Sequence, residues 1–276
     1  MRLYDAHNHL QDERFAGRQS EIMAKAAGAG VVRMVVNGAC EQDWPPVLEL
    51  AQQFPQVLPS FGYHPWYLGE RTTQWQPELI RFLDRVRSAV GEIGLDRWKP
   101  GLPYDGQEEA FVWQLRLAAE RNLPVSIHCL QAWGRLHDLL RCTPRPQRGF
   151  LLHSYGGSRE MIAPLAGLGA YFSFPGYFIH GRKRRQCETF QSVPLDRLLV
   201  ETDAPDQLLP ESHNRFPLND ANGKPMNHPA NLAAIYEFVA RGRGISLNEF
   251  AGQMEQNFLR LFGIQSEDAP APGGHN

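Results

Sequence analysis

The chain has 276 residues, with 28 Lys+Arg against 30 Asp+Glu and a formal net charge of −2 with His neutral. A hydrophobic share of 42% and a charged share of 21% exclude a disordered chain, and the balanced charge excludes a protein that coats polyanions through a global positive field. Gly (25) and Pro (21) are scattered without a period, which excludes a fibrous repeat.

The opening residues turn polar at His7 with no apolar region behind them, so no secretory signal is expected. No stretch approaches the roughly 20 apolar residues of a membrane span. Cys40, Cys129, Cys142 and Cys187 lack CxxC spacing, which suits reduced thiols in a cytoplasmic protein, with Cys129 a small buried filler. In chain order, short apolar or β-branched runs predict strands at Leu3–His7, Val31–Asn37, Val57–Gly62, Ala89–Ile93, Val125–His128, Gly149–His153, Ala170–Phe174 and Leu198–Thr202. Amphipathic stretches between them predict helices at Ser20–Ala27, Trp44–Phe54, Pro77–Arg87, Gln107–Arg121, Ala132–Arg141, Ser158–Leu168, Arg182–Ser192 and Asn231–Arg241. A last helical pattern, Leu247–Phe262, packs back on these units. Strands alternating with helices imply right-handed βαβ units and a parallel sheet. Eight such units match an α/β fold of one (β/α)8 TIM barrel spanning residues 1–265. A doubly wound open sheet is the alternative, but neither GxGxxG after the first strand nor a Walker A pattern is present. The polar, Pro/Gly-rich residues 266–276, including His275, read as a disordered tail.

Chemistry gathers where the strands stop. Residues i and i+2 of a strand share a side, so His7 and His9 aim two imidazoles at one point past the first strand. In a barrel this is the C-terminal mouth, where active sites lie. Glu92 ends the fourth strand, His128 the fifth, His153 the sixth, and Glu201 and Asp203 the eighth. Singly, each reads as an ordinary structural residue or turn cap. Together, four imidazoles and two carboxylates would crowd costly polar groups into one place unless a metal turned their lone pairs into bonds. Six donors exceed what one tetrahedral zinc requires and suit two divalent ions with a bridging carboxylate. No Lys (25, 99, 183 or 224) ends a predicted strand, so Glu92 takes the bridge. His7, His9 and Asp203 then complete one ion's set, and His128 and His153 the other's. Glu201, two residues before Asp203, reads either as a group orienting an imidazole or as a structural ion pair.

These residues resemble the TatD family of metal-dependent hydrolases, a branch of the amidohydrolase-like barrels. The resemblance runs from about residue 3 to 262 through Asp5-Ala6-His7-Asn8-His9-Leu10, Gly62-Tyr63-His64-Pro65, Gly91-Glu92-Ile93-Gly94-Leu95-Asp96, Ile127-His128, Leu152-His153, Glu201-Thr202-Asp203-Ala204-Pro205, Asn227-His228-Pro229-Ala230-Asn231 and Asn257-Phe258-Leu259-Arg260-Leu261-Phe262. It implies a divalent-metal barrel, several relatives that are deoxyribonucleases trimming DNA ends, and His7, His9, Glu92, His128, His153 and Asp203 as ligands. It further implies His64 lining the pocket near a substrate phosphate. After the fifth-strand His the family usually shows Ser and then Arg, whereas here the run is His128-Cys129-Leu130-Gln131-Ala132-Trp133; after the sixth-strand His stands Ser154-Tyr155. The departures touch the substrate shell rather than the metal cage.

The expected reaction is hydrolysis by a metal-activated water. Asp203 takes the water's proton and passes it to the leaving group, and His64 donates a hydrogen bond to the developing charge. Donor softness favours Zn²⁺ or Mn²⁺, and the resemblance keeps Mg²⁺. The first reading is a phosphodiesterase or deoxyribonuclease acting on nucleic-acid ends. The second is a hydrolase of another ester, an amide or a small phosphoester. The third, a non-catalytic binding barrel, is opposed by the intact donor set. The basic run Arg182-Lys183-Arg184-Arg185 is expected to open a helix at the catalytic face, with Arg182 and Arg185 as phosphate contacts and Arg97 and Lys99 adding to the field; a plain solvated face is the alternative. The long segment Ala204–Asn231 reads as a pocket wall. Trp66, Tyr67, Trp98, Tyr104, Trp133, Tyr155, Tyr177 and Phe178 offer rings that either stack bases or anchor loops to the rim. No membrane and no obligate protein partner is expected.

Overall fold

The β-branched and aromatic runs form eight parallel strands: β1 (Leu3–Asn8), β2 (Val31–Gly38), β3 (Val57–Phe61), β4 (Ala89–Asp96), β5 (Val125–Leu130), β6 (Phe150–Leu152), β7 (Ala170–Pro175) and β8 (Leu198–Glu201). Nearly every strand residue is buried, as expected for a parallel sheet covered on both faces. Nine helices accompany them among the described residues: α1 (Gln19–Gly28), α2 (Trp44–Gln53), α3 (Trp75–Arg85), α4 (Tyr104–Arg121), α5 (Trp133–Cys142), α6 (Ile162–Gly167), α7 (Arg184–Phe190), α8 (Leu232–Arg243) and α9 (Leu247–Phe262). The computed structural model describes residues 1–263. The expected limit at residue 265 and the expected tail at 266–276 lie outside the described residues.

The strands hydrogen-bond in the order β1-β2-β3-β4-β5-β6-β7-β8, the order of a (β/α)8 barrel. The seam between β8 and β1 is closed by individual bonds rather than a ladder. Asp203 N–H donates to the His7 carbonyl at 2.9 Å and His9 N–H to the Ala204 carbonyl at 2.8 Å. The buried Asp5 carboxylate accepts Thr202 N–H at 2.9 Å and Thr202 Oγ1–H at 2.5 Å. Burial pushes Asp5 up to about 7, against the pull of its hydrogen bonds from Thr202.

Inside the barrel, Tyr4, Ala6, Val35, Leu58, Ala89, Leu151, Tyr171 and Leu199 form one cluster with Phe258, Leu261 and Phe262 of α9. The helix thus closes the end of the barrel opposite the donors, with Tyr4 and Phe258 rings 4.9 Å apart. Ser246 caps α9 by accepting Glu249 N–H, and Gly263 ends it at φ 67°.

Two predicted helices are shorter than expected. Ser158–Leu168 resolves into a 3₁₀ turn, Arg159–Met161, followed by α6, because Pro164 fits only in a helix's first turn. Arg182–Ser192 resolves into a 3₁₀ turn, Gly181–Lys183, followed by α7. Four consecutive cations oppose the positive end of a helix dipole and one another, so the helix begins late. At seven residues, α7 is too short to offer the anion-binding helix N-terminus expected there.

Candidate metal centre

Strand register carries the donors to one place, with two local irregularities. On β5 to β8 simple alternation suffices: Leu151 and Leu199 belong to the inner cluster, and their i+2 neighbours His153 and Glu201 sit one layer higher. On β1, Tyr4 and Ala6 are inner residues, so strict alternation would turn His7 outward. The β1–β2 register instead slips between Asp5 and Asn8, and the β4–β5 register slips between Val90 and Ile93. These bulges redirect His7 and Glu92 into the mouth. Close backbone approach holds Glu92 there. A Cβ on Gly62 would lie 2.8 Å from the Gly91 carbonyl carbon, and one on Gly94 would lie 2.0 Å from the His128 oxygen.

Two sets of donors meet on either side of Glu92. On the Oε2 side, His7 Nε2 and His9 Nε2 are 3.2 Å apart and lie 3.4 and 3.3 Å from Glu92 Oε2. Asp203 Oδ1 faces the same two nitrogens at 3.7 and 3.5 Å. On the Oε1 side, His153 Nε2 lies at 2.8 Å and His128 Nδ1 at 3.2 Å, with 3.3 Å between the nitrogens. An ion bonded at about 2.1 Å spaces neighbouring donors by about 3.0 Å at right angles and about 3.4 Å in a tetrahedron. The observed separations bracket both values, so the donor set fits divalent ions.

The far nitrogens fix which lone pairs point inward. His9 Nδ1–H donates to the Asn37 carbonyl at 2.8 Å, leaving Nε2 unprotonated in the neutral ring. His128 Nε2–H donates to Asp96 Oδ2 at 2.9 Å, leaving Nδ1 free to bind. His7 Nδ1 pairs with Ser126 Oγ at 2.8 Å. His153 Nδ1 has no hydrogen-bond partner and faces Glu201 Oε1 at 3.7 Å. Glu201 is itself held by Ser154 N–H at 2.7 Å, Ser154 Oγ–H at 2.5 Å and Ser173 Oγ–H. His64 is built the opposite way: its Nδ1 accepts Trp66 N–H at 3.1 Å, so the neutral ring carries its proton on Nε2, 3.4 Å from Glu92 Oε1. Burial lowers His64 to about 4 and keeps it neutral. It is a hydrogen-bond donor aimed into the pocket rather than a lone pair. Asn37, Asp96 and Ser126 escaped sequence reasoning; only Asp96 left a signal, as the last residue of the Gly91–Asp96 motif.

Burial disfavours charge throughout the centre, and the neighbours decide who keeps it. Glu92 stays well below the ordinary carboxylate range because the charged His153 and the His128 hydrogen bond, with the neighbouring His64 and His7 imidazoles, overcome burial. His153 rises well above the ordinary range, since Glu92 and Glu201 outweigh burial. Asp203 is pushed up to about 7 by burial, with Glu201 and Glu92 adding to the rise. It occupies left-handed backbone at φ 51°, and its Oδ2 accepts Gln207 Nε2–H at 2.7 Å.

A family model, TatD related DNase, matches residues 4–263. The chain belongs to this family. As a TatD-family member it is a hydrolase of the metal-dependent type. It is 31% identical over 271 residues to the 3'-5' ssDNA/RNA exonuclease TatD of Escherichia coli, covering 95% of this chain and 99% of that one. The same figures hold for the protein of that name from Shigella flexneri. The crystal structure of another E. coli TatD homologue superposes with a TM-score of 0.86 at 27% identity, covering 95% of this chain and 98% of that one.

The TatD-family centre opens into a cavity of about 800 Å³, lined by Trp66, Tyr67 and Trp98 and by Arg14, Asp206 and Gln207. A second cavity of about 360 Å³ adjoins it through Leu130, Ser154 and Gln207 and reaches Tyr177, Phe178 and Lys183. Of the basic run, Lys183 lines this second cavity; Arg182 packs its guanidinium on Tyr177, and Arg185 lines neither. Arg97 lies over the Tyr104 ring at 3.8 Å. Trp133 and Tyr155 pack on each other in loop anchoring. The segment after β8 supplies Asp206, Gln207 and Leu208 to the walls, and it holds a short hairpin, Leu218–Asn219 with Pro225–Met226. Cys129 is buried, and burial pushes its thiol up, away from reactivity. No helix of the described residues is long and apolar enough to cross a membrane.

Proposed function

We propose that this chain hydrolyses phosphodiester bonds at the ends of single-stranded nucleic acid, using two divalent ions held on either side of Glu92. The observation that carries the reading is the pair of donor sets sharing one carboxylate, each with separations suited to an ion. The names of the relatives support the substrate class. His7, His9, Glu92 and Asp203 would hold one ion, and Glu92, His128 and His153 the other. Zn²⁺ and Mn²⁺ suit this mixture of nitrogen and oxygen donors best, with Mg²⁺ as the harder alternative.

What such ions supply when bound is Lewis acidity, which lowers the pKa of an attacking water and offsets charge on the phosphoryl oxygens. The chain does the rest. Asp203 accepts the water's proton at its carboxylate and returns it to the leaving oxygen. Gln207 Nε2–H holds that carboxylate in place. His64 Nε2–H donates to the non-bridging oxygen where charge builds up. Glu201 steadies His153, and Arg182 and Arg185 draw the distal backbone by their field.

The test is direct. Chelator-treated protein, reloaded with Mn²⁺, Zn²⁺ or Mg²⁺, is given an end-labelled single-stranded oligonucleotide and, separately, bis(p-nitrophenyl) phosphate. Metal-dependent progressive shortening is expected. Hydrolysis of the small diester alone would move the reading to small phosphoesters, and loss of both would end it.

A further inference from the structure

Among the described residues the exposed large apolar side chains are Met1 and Trp98, and Trp98 lines the catalytic cavity with 57% of its surface open. Its indole is therefore open to a molecule entering the cavity from solvent. Its position is held by backbone: Trp98 N–H and Lys99 N–H both donate to Asp96 Oδ1, at 2.7 and 2.9 Å. The other oxygen of the same carboxylate accepts Trp66 Nε1–H at 2.6 Å and His128 Nε2–H at 2.9 Å. Trp66 lies beside Trp98, ring centroids 6.5 Å apart at 29°, and the Lys99 ammonium sits 4.5 Å from the Trp66 centroid. One buried carboxylate therefore joins an imidazole of the donor ring to two indoles and a cation on the rim.

We propose that Trp98, backed by Trp66 and Lys99, is the subsite for the base of the terminal nucleotide, and that Asp96 is a positioning residue setting its distance from the scissile bond. This rests on the nuclease reading above. Indole faces accept any base, because every base has a π face, so the subsite gives affinity for single strands without sequence preference. A paired base could not reach it without unstacking. Lys99 adds a point charge for the adjoining phosphate. The arrangement supplies on this loop what the Cys129-Leu130-Gln131 run after His128 does not, a group that recognises an extended anionic chain.

The experiment compares wild type, Trp98→Ala and Trp98→Phe, loaded with Mn²⁺, on a single-stranded oligonucleotide and on the same oligonucleotide made abasic at its last two positions. Trp98→Ala is expected to raise KM for the intact oligonucleotide about tenfold while kcat changes less than about twofold. Trp98→Phe should recover most of the loss. On the abasic substrate the penalty should shrink below about threefold, because the partner ring is gone. Equal penalties on both substrates, or none on either, overturn the subsite while leaving the nuclease reading intact. Wild-type protein that hydrolyses bis(p-nitrophenyl) phosphate but neither oligonucleotide overturns both. Asp96→Asn should weaken Mn²⁺ binding about 10-fold or more and raise KM together; a change in only one of them removes the proposed link.

Discussion

The floor of the cavity consists of strand ends, where His7, Glu92, His128 and His153 are buried and Ser126, Asp96 or Glu201 faces the outer nitrogen of each imidazole. At the rim Trp98 stands in solvent, held by its backbone bond to Asp96, and farther out Arg182 rests on Tyr177 and Arg185 lies exposed on α7. On the floor a displaced side chain would leave a buried polar group without a partner, which costs about 1–3 kcal/mol even before chemistry is considered. On the rim water replaces any lost contact. Reaction type therefore belongs to the floor and choice of substrate to the rim, and substitutions in the two regions should separate accordingly.

The largest effect is expected for Glu92→Gln, which removes the charge shared by both donor sets. Metal analysis should find both ions depleted and turnover gone; a variant with full metal content and activity contradicts the bridge. Asp203→Asn should lower kcat by about 10²- to 10⁴-fold. The His128–His153 set should still bind an ion, which titration with Mn²⁺ followed by electron paramagnetic resonance can count.

Protons test the floor more finely. Burial works against a charge on His9, but the Glu92 hydrogen bond and the Glu92 and Asp203 charges lift it to about 9. A raised pKa means a bound proton at neutral pH, which an entering ion must expel. Affinity should then rise as pH climbs from 6 toward 9, by up to about tenfold per unit for each proton released. Calorimetry in buffers of different ionisation enthalpy measures that release, and its absence would show that the imidazoles are already free.

The smallest effect belongs to the rim. Replacing Arg182 and Arg185 together with Ala should raise KM for oligonucleotide by a few-fold at low salt. The difference should fade near 0.2 M, since exposed charges are screened beyond about 7–10 Å. A penalty that persists at high salt, or a fall in kcat, would place these residues closer to the reacting bond than their exposure suggests.

Much of the floor was readable from residue order alone. His7, Glu92, His128, His153 and Asp203 each follow a short run that reads as a strand, and a parallel barrel delivers the ends of such runs to one mouth. The tautomers were not readable. Whether His64 presents a lone pair or an N–H depends on the Trp66 amide meeting its Nδ1, and His128 turns the Nδ1 lone pair inward because Asp96 takes its Nε2. The basic run after β7 was visible as four letters, yet which cation faces the cavity depends on where the 3₁₀ turn ends, and that residue is Lys183.

Hydrophobic period, strand count and donor identity are local properties of the chain, and the amino-acid order by itself determined them: eight strand–helix units, an amphipathic last helix, and imidazoles and carboxylates at the strand ends. Tertiary structure alone decided the slips of register that turn His7 and Glu92 inward, the closing of β8 on β1 through Asp5, and the carboxylate of Asp96 that ties the rim to the floor. Each of these depends on partners distant in sequence, for Asp5 and Thr202 nearly 200 residues away, whose meeting is a property of the closed barrel and not of any segment within it.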